Sequence, residues 1–155
     1  MTPAVQALKR AKVTFELHEY PHDPASAAYG EEAARLLGLA PHTVFKTLLA
    51  KIDGKLAVAV VPVSGMLDLK ALARAANGRK AVMADTAEAE RATGYVVGGI
   101  SPLGQKQRLA TFIDDSAADL ACIHVSAGRR GLEIALAPTV LQRLTQARLA
   151  PLARR

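Results

Sequence analysis

Asp53-Gly54, set between two apolar runs rich in β-branched residues at 43–52 and 56–63, constrains this chain more than any other feature. Asp-Gly favours the two-residue turn whose twist matches that of its flanking strands, so the pattern predicts a central antiparallel β-hairpin.

Around that hairpin the sequence predicts short helices with clear starts and stops. Thr2-Pro3 reads as an N-cap and first helical residue, with Val5 and Leu8 three apart and an end near Ala11. Glu31 and Glu32 open a helix over 31–37 that Gly38 stops. Asp68 caps a helix through Ala76 that ends at Asn77-Gly78, and Asp85 with Glu88 makes a capping-box-like start for one ending before Gly94. Pro138 opens a last helix through about Ala147. Over 13–20, Val13, Phe15 and Leu17 alternate with Thr14, Glu16 and His18, the period of a half-buried strand, until Pro21 and Pro24 break it. Further strands are predicted at 111–113, 121–126 and 132–136. Strands outnumber long helices, so the class is α+β with a mixed sheet rather than a doubly wound parallel one.

At 155 residues, with 50% hydrophobic and 22% charged, the chain suits one globular domain over residues 1–155. Gln6, Lys9 and Arg10 interrupt any signal-peptide core, and the longest apolar run, 56–63, is too short to span a bilayer. The expectation is therefore a cytoplasmic protein with no membrane partner. The single cysteine, Cys122, cannot form an internal disulfide, and its apolar surroundings read as core rather than as those of a nucleophile. A net charge of +6 favours a polyanionic partner. Lys9, Arg10 and Lys12 cluster, as do Lys106 with Arg108, Arg129 with Arg130, and Arg154 with Arg155.

His18-Glu19-Tyr20-Pro21-His22 matches the letters of the helical zinc-protease motif, but Pro21 defeats the helix that would bring both histidines to one face. His42 and His124 stand alone, so no metal site is expected. Lys46 stands in the middle of an apolar strand, on the face of Val44 and Leu48. It either snorkels to solvent or aims a cation at an anionic or carbonyl group of a ligand. The segment 94–104 places four glycines and Pro102 among apolar residues; amides at Gly98 and Gly99 could face an oxyanion. It matches neither the P-loop nor the dinucleotide fingerprint. No Ser-His-Asp or Cys-His arrangement can be argued, which leaves an enzyme that positions water or a group of the substrate itself.

These residues together resemble the freestanding YbaK-type aminoacyl-tRNA deacylases, similar to the editing domain of bacterial prolyl-tRNA synthetases. The resemblance rests on Met1-Thr2-Pro3-Ala4-Val5, Tyr20 with His22-Asp23-Pro24, Val44-Phe45-Lys46-Thr47-Leu48-Leu49, Met83-Ala84-Asp85, Thr93-Gly94-Tyr95, Gly98-Gly99-Ile100-Ser101-Pro102-Leu103-Gly104-Gln105-Lys106 and Gly128-Arg129-Arg130-Gly131-Leu132-Glu133. It covers essentially the whole chain. It implies a curved, barrel-like mixed sheet flanked by helices, and hydrolysis of a mischarged aminoacyl-tRNA, most typically Cys-tRNA(Pro), without metal or organic cofactor. By the same resemblance Lys46, Gly98 and Gly99 are catalytic. Tyr20, Tyr29, Thr47, Ile100, Ser101 and Pro102 are the expected substrate-binding residues. The substrate's own thiol is the implied nucleophile, and prolyl-tRNA synthetase the implied partner. Tyr29 and Glu133 depart from the family's usual phenylalanine and aspartate. The competing expectations are a deacylase of the same fold for alanine or serine esters, a noncatalytic RNA-binding module, and an unrelated small-molecule binder.

Overall fold

Asp53 and Gly54 both adopt positive φ, 50° and 86°, as the hairpin requires. The computed structural model describes residues 1–26 and 28–154. In chain order its helices are α1 (Pro3–Ala11), α2 (Tyr29–Leu37), α3 (Leu69–Ala75), α4 (Thr86–Thr93) and α5 (Pro138–Thr145). Its strands are β1 (Glu16–Glu19), β2 (Phe45–Ile52), β3 (Lys55–Pro62), β4 (Met66–Leu67), β5 (Ala81–Met83), β6 (Ala110–Asp114), β7 (Ile123–Ser126), β8 (Leu132–Leu136), β9 (Arg148–Ala150) and β10 (Ala153–Arg154). The fold is α+β.

The hairpin pairs along its whole length, from Phe45 opposite Pro62 to Ile52 opposite Lys55. It forms the middle of a mixed five-stranded sheet ordered β5-β2-β3-β6-β9, in which β6 runs parallel to β3 and β9 parallel to β6. Both faces of β3 are covered, which explains why its apolar run does not alternate. Val58 and Val60 join a core with α1, β7 and β8, whereas Ala57, Ala59 and Val61 pack with Leu72 of α3 and Leu152.

The β-structure extends beyond the mixed sheet. An antiparallel sheet ordered β1-β8-β7 and a two-stranded β10-β4 pair stand beside the five-stranded one, and Val44 bridges to His124 between β2 and β7. The barrel suggested by the resemblance is not closed among the described residues.

Most predicted helix ends match their caps. The Thr2 hydroxyl accepts from Val5 N–H, the Asp68 carboxylate from Lys70 and Ala71, and the Asp85 carboxylate from Glu88. Glu88 does not close a capping box; its carboxylate lies 3.0 Å from the Lys51 ammonium. The strand expected over 13–20 shortens to β1, because Lys12 takes a left-handed cap and Val13 N–H returns to Leu8 of α1. Leu17 sits opposite the buried Ile134, but on an edge strand, where it remains 43% exposed.

Asp114, at the end of β6, ties down the C-terminal segment. Its Oδ1 accepts from Leu152 and Ala153 N–H at 2.8 and 2.9 Å, and its Oδ2 from the Ser116 hydroxyl at 2.6 Å.

Candidate functional site

Strand β2 has an outer edge that is only partly covered. Strand β5 pairs with it from Ala50 to Ile52, Ala84 N–H donates to the Leu49 carbonyl at 3.1 Å, and Val44 bridges to His124. Between these covers lie Lys46 and Thr47, and a cavity of about 390 Å³ opens there, with Tyr20, Tyr29, Gly98, Ile100, Ser126 and Glu133 also in its wall. Among the described residues no carboxylate approaches the Lys46 ammonium within 4.0 Å. Lys46 also borders a groove of about 560 Å³ with Glu31, Val63, Ser64, Met66 and Arg154. The lysine therefore stands where the cavity meets the groove.

Helix α2 brings Tyr29 to the cavity, and Gly30 lets the helix approach: a Cβ there would lie 2.4 Å from Val63 Cγ1. Behind it, His22 Nδ1 lies 2.6 Å from Glu32 Oε1, and Glu32 Oε2 accepts from Asp23 N–H at 2.9 Å. The bond from His22, opposed by burial and helped by the Asp23 amide, holds the Glu32 carboxyl below its ordinary range. His18 goes instead to Glu16, at 3.3 Å. The two histidines of the zinc-like motif thus have different partners.

The glycine loop is clamped from behind. Arg130 donates to the Val97 carbonyl, and its guanidinium lies 4.5 Å from the centre of the Tyr29 ring. Gly98 has φ 91°, and a Cβ on it would fall 2.7 Å from Arg130 Nε and 2.8 Å from the Tyr29 ring. Only glycine fits that place without a shift. Gly99 donates its N–H to the Val96 carbonyl at 2.9 Å, so this amide is not free for an oxyanion, whereas no acceptor among the described residues holds the Gly98 N–H.

The cavity therefore gathers Lys46, Thr47, Tyr20, Tyr29, Gly98 and Ile100, while Gly99, Ser101 and Pro102 are not part of its wall. Ser101 is fully buried; its Oγ accepts from Leu103 N–H at 3.2 Å and its carbonyl from the Gln105 amide at 2.9 Å. Ser101 is expected in the pocket; in the structure its bonds shape the loop's exit. Arg130 is likewise spent on the loop, which removes it from the expected surface cluster. Lys9, Arg10, Lys12, Lys106, Arg108, Arg129 and Arg154 are exposed; Arg155 lies outside the described residues. Cys122 is half-buried rather than core, and burial pushes its thiol pKa up, away from the reactive thiolate.

Sequence reasoning assigned Glu133 no function, although a charged residue inside the apolar run of β8 is the same signal that drew attention to Lys46. Glu133 is 5% exposed, and burial pushes its pKa up to about 8. Its Oε2 and the Thr47 Oγ1 are both buried with no hydrogen-bond partner among the described residues. Burial also raises the Tyr20 phenol, with the negative charges of Glu133 and Glu32 adding to it against a bond from the Gly131 backbone.

The chain is 37% identical over 153 residues to an Enterococcus faecalis protein named "Putative Cys-tRNA(Pro)/Cys-tRNA(Cys) deacylase EbsC", covering 96% of this chain and 91% of that one. Among solved structures it superposes on "hypothetical protein APE2540" with a TM-score of 0.87 at 22% identity, over 99% of this chain and 100% of that one. It also superposes on a "putative trans-editing enzyme for prolyl tRNA synthetase" with a TM-score of 0.83 at 23% identity, over 100% of this chain and 99% of that one. At those identities the two structures establish the fold. The model of the aminoacyl-tRNA editing domain matches residues 22–144, a span that holds β2, the glycine loop and Glu133, and the chain belongs to that family.

Proposed function

We propose that this chain is a trans-editing deacylase that hydrolyses the ester between cysteine and tRNA(Pro). The observation that carries this reading is Lys46, a cation that no carboxylate among the described residues pairs, at the junction of a small cavity and an open groove. An aminoacyl group enters the cavity and the terminal nucleotide lies along the groove, where Arg154 and Ser64 can meet its phosphate. The ester then sits at Lys46, which orients it and offsets charge developing on the carbonyl oxygen. The free N–H of Gly98 is the loop's donor to the same oxygen.

Among the described residues the cavity wall offers no protein nucleophile paired with a base. Ser126 Oγ accepts from Gly128 N–H at 3.2 Å, and neither His18 nor His22 is part of the wall. In the proposed reaction the substrate thiol, losing its proton, attacks its own carbonyl carbon. The carbon–oxygen bond to the ribose breaks, and the ribose hydroxyl leaves with a proton. Water then opens the cyclic thiolactone to free cysteine. Size alone separates substrates differing by one methylene only about 10- to 200-fold, so a thiol requirement adds a second filter. The name of the Enterococcus relative supports the choice of cysteine. The exposed basic residues fit acceptor-stem phosphates, prolyl-tRNA synthetase is the expected partner, and the cytoplasm the place of action; no helix among the described residues is long and apolar enough to cross a membrane.

The test is the rate of ester cleavage on Cys-tRNA(Pro), Ala-tRNA(Pro) and Ser-tRNA(Pro), with Lys46→Ala beside the unaltered protein. Release of cysteine alone, reduced by at least about 100-fold in the variant, is the expected result. Release of alanine or serine at equal rates overturns the thiol step and keeps the deacylase. No release from any of the three leaves a noncatalytic RNA-binding module.

A further inference from the structure

Polar groups buried without partners are rare in folded proteins because each costs the hydration it has given up. Among the described residues two groups without a partner, Glu133 Oε2 and Thr47 Oγ1, belong to the wall of one cavity. The main chain adds to them. Val63 N–H donates to the Val44 carbonyl, so the even-numbered carbonyls at this end of β2 point toward β3. The Leu49 carbonyl accepts from Ala84 on the other side, so the odd-numbered groups point to the outer edge. Thr47 is odd-numbered and lies in the gap between the His124 bridge and the Ala84 bond. Its carbonyl and N–H therefore face the uncovered stretch of the edge.

A carboxyl, a hydroxyl and a strand carbonyl around one small cavity form a set of acceptors for a compact donor. An ammonium group offers three N–H donors from a single atom and carries the charge that would draw a buried carboxyl back to its ionised form. Every aminoacyl ester has such a group one carbon from its carbonyl. We infer that Glu133 and the open edge of β2 at Thr47 hold the α-ammonium of the aminoacyl ester, so that the site requires a free amine and rejects an acylated one.

This inference rests on the aminoacyl-ester reading above and deepens it, for it makes Glu133 a specificity-determining residue. Burial raises the Glu133 pKa to about 8 and so favours its protonated form; the incoming ammonium takes the place of that proton, which leaves to solvent. An N-acetylated ester has no positive charge and one N–H in place of three, so it leaves the carboxyl and the hydroxyl without adequate partners.

The experiment compares a free aminoacyl-tRNA with its N-acetylated form, using the amino acid cleaved fastest, in the unaltered protein and in Glu133→Gln. The unaltered protein should prefer the free amine by about 100-fold, the scale of a charged hydrogen bond left unmade. Glu133→Gln should reduce that preference by about tenfold, chiefly through a higher KM for the free-amine ester, with the N-acetyl rate nearly unchanged. Glu133→Asp, which keeps the charge and shortens its reach, should retain an intermediate preference and serves if the glutamine variant fails to fold. A preference unchanged in the variants, even with both rates lowered, overturns the inference and leaves the deacylase standing. If the unaltered protein cleaves neither ester, the deacylase reading fails and this one with it.

Discussion

Asp114 and Glu133 are both buried carboxyl groups at 4% and 5% exposure, and the protein treats them in opposite ways. Burial pushes Asp114 upward, but the Ser116 hydroxyl and the amides of Leu152, Ala153 and Ser116 outweigh it and hold its pKa below the ordinary carboxylate range. Glu133 has burial and, among the described residues, no such donors, and rises to about 8. Each carboxyl lies in a strand of five residues and is closed to solvent, but Glu133 is the more deeply packed of the two and, among the described residues, accepts no hydrogen bond. One acid has hydrogen-bond donors supplied by the fold, while the other, among the described residues, has none. Burial alone does not single out a candidate site residue; burial with unmet hydrogen-bonding capacity in the wall of a cavity does.

The most forceful way to break this comparison is Asp114→Ala. It strands the amides of Leu152 and Ala153 and releases the segment that carries β10, so we expect a loss of about 4 kcal/mol, read by denaturant unfolding. Cleavage per folded molecule should change only through a higher KM, since Arg154 on β10 borders the groove. If kcat collapses instead while the protein stays folded, Asp114 belongs to the chemistry and the contrast fails.

A somewhat smaller effect is expected from pH, with opposite signs at the two acids. Asp114 is lowered in the folded state, so its contribution to stability is present above the ordinary aspartate range and fades as pH falls. Glu133 is raised from 4.5 to about 8, so the folded state holds a proton that the unfolded state has lost. Stability should therefore decline steadily as pH rises between those limits. Glu133→Gln should abolish that decline and leave the acid-side loss in place. Midpoints of thermal unfolding across pH 4 to 9, in roughly unit steps, distinguish the cases. A profile that is flat from 5 to 8 in the unaltered protein would mean that Glu133 is already satisfied.

The same contrast explains what the sequence could and could not disclose. Asp53-Gly54, Thr2-Pro3, Asp68, Asp85 and Gly38 act within a few residues of themselves, and turns and caps at those points match the expectation. Strands β4, β5, β9 and β10 are two or three residues long, too short for a period, and form because distant strands offer them an edge. Lys46 was legible because a charge interrupted an apolar strand, and Glu133 carried that mark as well. That Ser101 is turned inward, that Arg130 grips Val97 rather than solvent, and that Gly99 spends its amide on Val96 depend on loops folding back against distant residues. No local pattern encodes those contacts.

Thr47→Val gives the smallest effect and tests the contrast most finely. If the hydroxyl is without a partner, replacing it by a methyl of similar size removes a buried, unmet polar atom, and stability should stay level or rise by up to about 1 kcal/mol. The strand carbonyl and Glu133 remain, so KM for a free-amine ester should rise only a few-fold, about 1 kcal/mol or less. A hydroxyl that the fold itself used would give the reverse pattern, a loss of stability with little change in KM. The two measurements therefore separate a group that completes the protein from one that waits for its ligand, on a residue whose neighbours in β2 on either side, Lys46 and Leu48, keep their bonds to β3 in both forms.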